Sequence, residues 1–514
     1  MNAVSSLATS LGVLACCVLG EAGGGSAGAA TGLAVAVAVA VLRWRGRPAW
    51  SWLMLCVGHR RPITRTRPFV VVNDRVGGGI RYQGGIAAAV VHVLGKPHTP
   101  TLFAGATAFT ENTLDITGLR PLLHQSLGLT LDSLSVVSAG SRRAGAGDYP
   151  QLYDTLVGTA PYAGQRKTWI VVKVAALANA EAVQGRTSLG TATVAAAQRI
   201  AAQLRQQGIR AKVATATDIA AMDRQLACSV PARRRQSWHS ARGVDGWSTT
   251  YSYRPGALTS EALAQAWSLR ADGITQNVTV FADGTAAATV TVGSAQPPTA
   301  PPSLLVQTLP GEQIQAAAAN LCGPAPVPRG AGRSALPAAL HVPVGPSGVL
   351  LGKVGAGQRL ALPLDDPGDV SRVHIAADDT VAKRIVARLA GAGARVTVHT
   401  RNTQRWNSVR IPGIVVGDAA RPASGTTVSV VDGTVEVAPP RPNTVITVAG
   451  TPQPHRTPHR TSADVLITQT GPAMVRVRAA GSDHTVEVEL FRAENRYVST
   501  HPPVLRAAGP EPVG

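Results

Sequence analysis

Few residues in this chain are spaced for chemistry. A phosphate loop needs GxxxxGK[ST], because backbone amides, a lysine and a hydroxyl must converge on a phosphate and its magnesium. The Gly-Lys pairs Gly95-Lys96 and Gly352-Lys353 run on into Pro97 and Val354, so no such loop is present. Gly391 and Gly393 lie near a predicted helix, but at its C-terminal end, where no positive dipole faces a pyrophosphate. They read as a glycine helix stop. Gly24-Gly25-Ser26-Ala27-Gly28 spells GxSxG without the strand and helix that a nucleophile elbow requires. His455 and His459 are four apart, yet Pro454 and Pro458 forbid the helix that would aim both at a metal. Asp365-Asp366 precedes Pro367-Gly368, a turn, and Asp378-Asp379 precedes a helix start. No Asp-x-Asp occurs, so a metal-dependent nucleotide-sugar transferase lacks its usual carboxylate pair. No catalytic, metal or cofactor site is expected.

The cations are the stronger signal. Lys plus Arg is 49 against 29 acids, a net charge of +20, and 43 of the cations are Arg. Arg233-Arg234-Arg235 is the densest run, with Arg224 and Arg242 nearby. It reads as a solvated loop or as a dock for acidic lipid or a protein partner. Nucleic acid is not expected, because stacking needs aromatics among the cations and aromatics are 4% of the chain. Cys16, Cys17, Cys56, Cys228 and Cys322 form no CxxC, which excludes a disulfide scaffold and a structural zinc site.

The predicted elements are those of an α/β (mixed) protein behind a membrane anchor. Residues 1–42 hold no Lys or Arg and one acid, Glu21. Two apolar runs, Val4 to Gly20 and Ala29 to Leu42, flank a Gly-rich break. Each is a little short of the ~20 residues that span a bilayer. Together they read as a transmembrane hairpin. Residues 43–68 form a basic juxtamembrane segment. Its Arg43, Arg45, Arg47, Arg60 and Arg61 place the chain from residue 43 onward in the cytoplasm, and Trp44, Trp50 and Trp52 suit the interface.

A cytoplasmic α/β domain is predicted over 69–293. Strands are expected at 69–95, Leu131 to Val137, Thr168 to Ala175, Ile209 to Ala214 and Trp247 to Arg254. Helices are expected at Leu114 to Gly128, Thr191 to Gln207, Asp218 to Leu226 and Ser260 to Leu269. Asp283-Gly284 marks a hairpin. Residues 294–343 read as a Pro-rich linker with one helix, Glu312 to Leu321. A second α/β unit spans 344–500, opening a β-α-β unit at Val373 to Ala376, Thr380 to Leu389 and Arg395 to His399. A disordered tail is expected at 501–514.

The layout resembles the EccE family of the actinobacterial type VII (ESX) secretion system. The likeness rests on the hairpin with Arg43-Trp44-Arg45-Gly46-Arg47 and Trp50-Ser51-Trp52, and on Gly79-Ile80-Arg81-Tyr82-Gln83-Gly84. It continues in Trp247-Ser248-Thr249-Thr250-Tyr251 with Leu258-Thr259-Ser260-Glu261-Ala262-Leu263, and in Gly345 to Gly352 with Gly393 to Thr400 and Trp406. None is a chemical signature; their order carries the likeness, which stops near residue 410. The resemblance implies a non-catalytic subunit of a multi-pass inner (plasma) membrane complex with EccB, EccC (an FtsK-like ATPase) and EccD, its soluble part cytoplasmic and held near anionic lipid. It implies export of WXG-type and PE/PPE proteins. The family's soluble domain has been likened to glycosyltransferases, and a membrane-associated glycosyltransferase-like enzyme is the alternative.

Overall fold

A computed structural model describes residues 66–499, apart from 74–75, 146, 228–236, 244–245, 356, 410, 434 and 451–462, together with scattered positions before residue 57. The expected tail 501–514 and most of the expected hairpin lie outside the described residues. Among the described residues no helix is long and apolar enough to cross a membrane. Gly25, in the Gly-rich break, takes φ 61°.

The early strands are β1 (Arg43–Trp44), β2 (Arg47–Pro48), β3 (Phe69–Asn73), β4 (Val76–Gln83), β5 (Ile86–Gly95), β6 (Thr101–Ala104), β7 (Thr107–Thr110) and β8 (Thr113–Asp115). Next come β9 (Ser133–Ser141), β10 (Gln165–Ala175), β11 (Arg210–Val213), β12 (Ala241–Arg242), β13 (Trp247–Tyr253), β14 (Gly273–Phe281), β15 (Thr285–Ser294), β16 (Val306–Thr308), β17 (Ser334–Ala335) and β18 (His341–Pro343). The last are β19 (Val349–Val354), β20 (Gln358–Leu362), β21 (Ser371–Ala376), β22 (Val396–His399), β23 (Ile414–Gly417), β24 (Val428–Asp432), β25 (Thr444–Ala449), β26 (Val465–Gln469), β27 (Met474–Ala479) and β28 (Ser482–Val488). The helices used below are α1 (Asp148–Val157), α2 (Leu189–Gln206), α3 (Ala216–Ala227), α4 (Ser260–Gln265), α5 (Gln313–Ala319), α6 (Asp379–Gly391), α7 (Thr403–Trp406) and α8 (Asn495–Val498).

The first sheet runs β12-β13-β15-β14-β9-β10-β5-β4-β3, with β11 also on β5, β16 on β13 and β17 on β15. Its described pairs are antiparallel, which departs from the parallel layer that the β-α-β alternation suggests. The reason is visible at β5. Both β10 and β11 pair with it antiparallel, so β10-α2-β11 is a β-α-β unit split by an inserted strand. Helix α2 forms where expected. Ser188 and Thr191 close a capping box at its start, and Gly208 takes φ 78° just past its end. Its face of Val194, Ile200 and Leu204 is buried against Ala89, Val91 and Val172. The opposite face packs Val90, Trp169 and Val171 against Ile219 and Met222 of α3 and Ala317 of α5. The turn at Asp283-Gly284 joins β14 to β15 as a hairpin, with Gly284 at φ 79°.

Two sequence readings fail here. Leu114 to Gly128 is not one helix but β8, a 3-10 turn over Thr117–Leu123 and a loop. Pro121 removes a donor inside it, and Leu127, at φ 56°, is 80% exposed. Residues 294–343 are not a linker: β16 and β17 join the first sheet, β18 pairs with β8, and α5 lies on the sheet with Ala316 to Ala319 buried. Polar groups hold it there. Gln313 bonds both N and O of Thr250 (2.7 and 3.0 Å), and Asn320 joins Asn277 and Thr291 (both 3.1 Å). Prolines before and after α5 mask a segment that the sheet needs as cover.

The second sheet runs β23-β22-β24-β25-β21-β26-β27-β28-β19-β20-β6-β7. Strands β23 to β26 are parallel, and the rest pair antiparallel. The predicted unit at 371–399 is present as β21-α6-β22. Two early segments belong to this sheet's core rather than to the first: β6 pairs with β20, and α1 packs on α6 through Tyr149, Tyr153 and Val157. The join is polar as well as apolar. Glu494 is fully buried and accepts from Arg388 of α6 (2.7 Å) and from the Tyr149 hydroxyl (2.9 Å).

Candidate functional sites at the strand ends and the juxtamembrane contact

An open parallel sheet binds ligands at the carboxyl ends of its strands, where helix N-termini offer free amides. In the second sheet this place is occupied by the protein's own side chains. Asp378 caps α6 by accepting from the Val381 amide (2.8 Å). Gln469 from β26 brackets Asp378 from both sides, its Nε2 donating to the carboxylate (2.9 Å) and its Oε1 accepting from the amide (2.7 Å). At the end of β24, Asp432 accepts from Trp406 Nε1 (2.8 Å), Thr400 Oγ1 (3.0 Å) and Arg405. Arg405 also holds Asp379 (2.8 Å through Nε). Burial opposes ionisation of Asp379, but the Arg405 hydrogen bonds and charge prevail and keep its carboxyl below the usual range. Where a dinucleotide fold leaves glycines and bare amides, this fold places three carboxylates, Asp378, Asp379 and Asp432, which repel a phosphate.

The other acidic pair is elsewhere. Asp366 forms a two-pronged pair with Arg210 of β11 (2.7 and 2.9 Å) and accepts from the Gly368 amide (2.8 Å), fastening the first sheet to the loop before β21. Burial raises the Asp365 carboxyl. Gly393, at φ 111°, ends α6 as the sequence indicates, with Ala394 N bonded to Leu389 O (3.0 Å). Among the described residues no group of three or more His, Cys, Asp or Glu could hold a metal. His455 and His459 lie outside them.

Of the residues expected at the membrane interface, Arg43–Trp44 and Arg47–Pro48 form the β1-β2 ladder. Trp52 meets Trp238 with ring centroids 6.1 Å apart, and the Trp238 carbonyl accepts from the Gly311 amide (2.7 Å) just before α5. Trp52 thus lies beside the residue whose carbonyl holds the chain at the start of α5. From sequence, Trp238 reads only as a core residue or as a flank of the Arg run. Arg45, Trp50, Arg60, Arg61 and the run Arg233, Arg234 and Arg235 lie outside the described residues.

At the strand ends of the second sheet, Asp378, Asp379 and Asp432 are thus engaged by the protein's own side chains. Comparison with known proteins gives the family. The family model of the type VII ESX secretion system translocon protein EccE matches residues 162–253. The ESX-2 secretion system protein EccE2 of Mycobacterium tuberculosis (strain CDC 1551 / Oshkosh) is 47% identical over 513 residues, 96% of each chain. The chain belongs to the EccE family. The ESX-1 secretion system protein EccE1 of the same organism is 29% identical over 66% of this chain and 69% of its own. The ESX-5 secretion system protein EccE5 of Mycobacterium marinum is 27% identical over 22% of this chain and 28% of its own. The EccE model runs from the residues just before β10 to the end of β13, the stretch that builds the split β-α-β unit and closes with the Trp247 strand.

Proposed function

We propose that this EccE chain is a non-catalytic subunit of an ESX-2-like type VII secretion membrane complex. The observation that carries the reading is 47% identity to an ESX-2 EccE2 protein along 96% of the chain. In this reading residues 1–42 cross the plasma membrane as a hairpin and the body stays cytoplasmic. Arg43, Trp44, Arg45, Arg47, Trp50, Trp52, Arg60 and Arg61 hold the interface, at about 1 kcal/mol per cation close to anionic lipid. Arg233, Arg234 and Arg235 dock lipid or a neighbouring subunit. EccB, EccC and EccD are the partners, and WXG-type and PE/PPE proteins the cargo. The Trp52–Trp238 contact supports a short, fixed tether between anchor and body.

Deleting residues 1–42 tests this. The shortened chain is expected in the soluble fraction, absent from the complex recovered in mild detergent. A shortened chain that still sediments with membranes and with the ATPase subunit would remove the tethering role.

A further inference from the structure

A cavity of about 390 Å³ lies at one end of the first sheet. Its floor is set by strand register. Lys173 of β10 stands directly opposite Ser133 of β9, and Ser133 directly opposite Phe281 of β14. Opposed residues of antiparallel strands share a face, so the three form one row. Val171, two residues back along β10, packs with Ala317 and Leu321, which puts the row on the α5 side. The segment after α5 closes the cavity. Pro326 and Val327 line it, and the Ala325 carbonyl between α5 and Val327 accepts from Lys173 Nζ (2.7 Å). Ile86 adds to the apolar wall. At the mouth the Arg333 guanidinium lies over the Phe281 ring, 3.6 Å from its centre, and 3.8 Å from Asp283.

Lys173 is the unusual member of this row. It is 3% exposed, and among the described residues it makes that one hydrogen bond and no ion pair. Holding a carbonyl does not need a charge. On the same face Asn277 donates to the Ala319 carbonyl (3.1 Å) and Gln313 to the Thr250 carbonyl (3.0 Å), both with neutral amides. A buried ammonium costs far more than an amide unless an anion meets it. Burial, opposed in part by the charge of Asp132, pushes the Lys173 pKa down to about 8, so the group is still largely charged at neutral pH. Two of its N–H bonds are available to a ligand. The Ser133 hydroxyl beside it, which donates to Asp132 Oδ2 (3.2 Å), is a further donor.

We propose that this cavity binds a small organic monocarboxylate, its carboxylate on Lys173 and Ser133 and its apolar body against Ile86, Phe281 and Val327. The restriction to one negative charge follows from the mouth. Asp283 is offset there by Arg333, whereas the exposed Asp132 has no ion pair among the described residues and would repel a second anionic group. The volume lies within the range of small-molecule sites, and an apolar wall with a few convergent polar groups is their usual lining.

The test is a fluorine NMR titration of 4-fluorobenzoate into the full-length chain in mild detergent, read against empty micelles, with 4-fluorobenzamide as the neutral isostere. Saturable line broadening is expected from the benzoate, and affinity about tenfold or more weaker from the amide. Lys173→Met should weaken benzoate by about tenfold or more. Val327→Trp fills the wall while leaving Lys173 in place, and it should abolish the broadening at an unchanged urea midpoint. Arg199→Glu on α2 should leave it intact. Equal binding of benzoate and benzamide, saturable binding that survives both cavity variants, or no broadening beyond that of empty micelles overturns the site. Each of these outcomes leaves the secretion reading standing, because that reading is tested by recovery of the membrane complex.

Discussion

In the first sheet α2 covers one face of β5 and β10, while α3 and α5 cover the other. In the second sheet α1, α6 and α8 crowd one face, and on the other the loops after β23 and β24 lie over β22 and β24. The polar groups differ in the same way. Under α5 they are amides and hydroxyls that join a helix to strands, as Asn320 does between Asn277 and Thr291. In the second sheet they are charges: Arg388 with Glu494 on the crowded face, Asp432 with Arg405 at the strand ends, and Arg476 and Arg478 with Asp483 on β27 and β28. Helix α5 is thus fastened by neutral hydrogen bonds and α6 by charged ones.

The largest way to break this comparison is Glu494→Ala. It strands Arg388 and Arg384 without their carboxylate in a buried site, which costs about 3–5 kcal/mol. Urea unfolding should show the second sheet melting early, and protection of the β5 and β10 amides should persist in hydrogen exchange. A single unchanged transition would mean that the clasp carries no weight. Asp432→Asn comes next. It weakens the contacts to Trp406 and Arg405 at the strand ends and is expected to cost about 1–3 kcal/mol, read as a shifted urea midpoint at constant slope.

His92 sharpens the other side. It lies beside Trp169 on the α3 face of the first sheet. Burial first, then the charges of Lys212 and Lys167, push its pKa down to about 4 from 6.5. The unfolded chain therefore binds the extra proton between pH 6.5 and 4, and stability falls as pH drops through that window. The loss should be about 1–2 kcal/mol after allowance for partial solvent access. Thermal melts of the wild type and His92→Gln across about pH 4 to 7 should differ by that slope; parallel curves would contradict it. The smallest effect belongs to β3, the end strand of the first sheet among the described residues. Val70→Lys and Val72→Lys, at positions 58% and 59% exposed on β3, should change stability by no more than about 0.5 kcal/mol. A calorimetric loss of several kcal/mol would show that this edge is covered.

Elements whose signals are local are legible in the sequence. Helix α2 with its Gly208 stop, the Asp283-Gly284 turn and the β21-α6-β22 unit all need only neighbours a few residues away. Features that depend on distant partners are not. Helix α1 carries Tyr149, Tyr153 and Val157 at a helical four-residue spacing behind Asp148, a signal sufficient to find it. Its purpose is hidden, because Tyr149 answers to Glu494, more than 300 residues away. The alanines of α5 look like a break in a proline tract because the strands that bury them are elsewhere in the chain. The acidic pairs read as a turn and a helix start, and they are, but their partners Arg210 and Arg405 cannot be inferred from spacing. The gathering of Asp378, Asp379 and Asp432 at the strand ends is a property of the parallel sheet and exists only once its strand order is known.

The insertion of β6 into the second sheet sets a schedule for the ribosome. Phe103 pairs with Arg359, about 250 residues later in the chain. At ~5–20 residues per second, the β6-β7 hairpin leaves the exit tunnel roughly 10–50 s before the strand it must join. During that interval the first sheet can close around β5, while Phe103, buried in the finished fold, stays uncovered. A nascent chain halted after residue 343 would present a nearly complete first domain with a sticky hairpin at its side, and it should engage chaperones more strongly than one halted after residue 499.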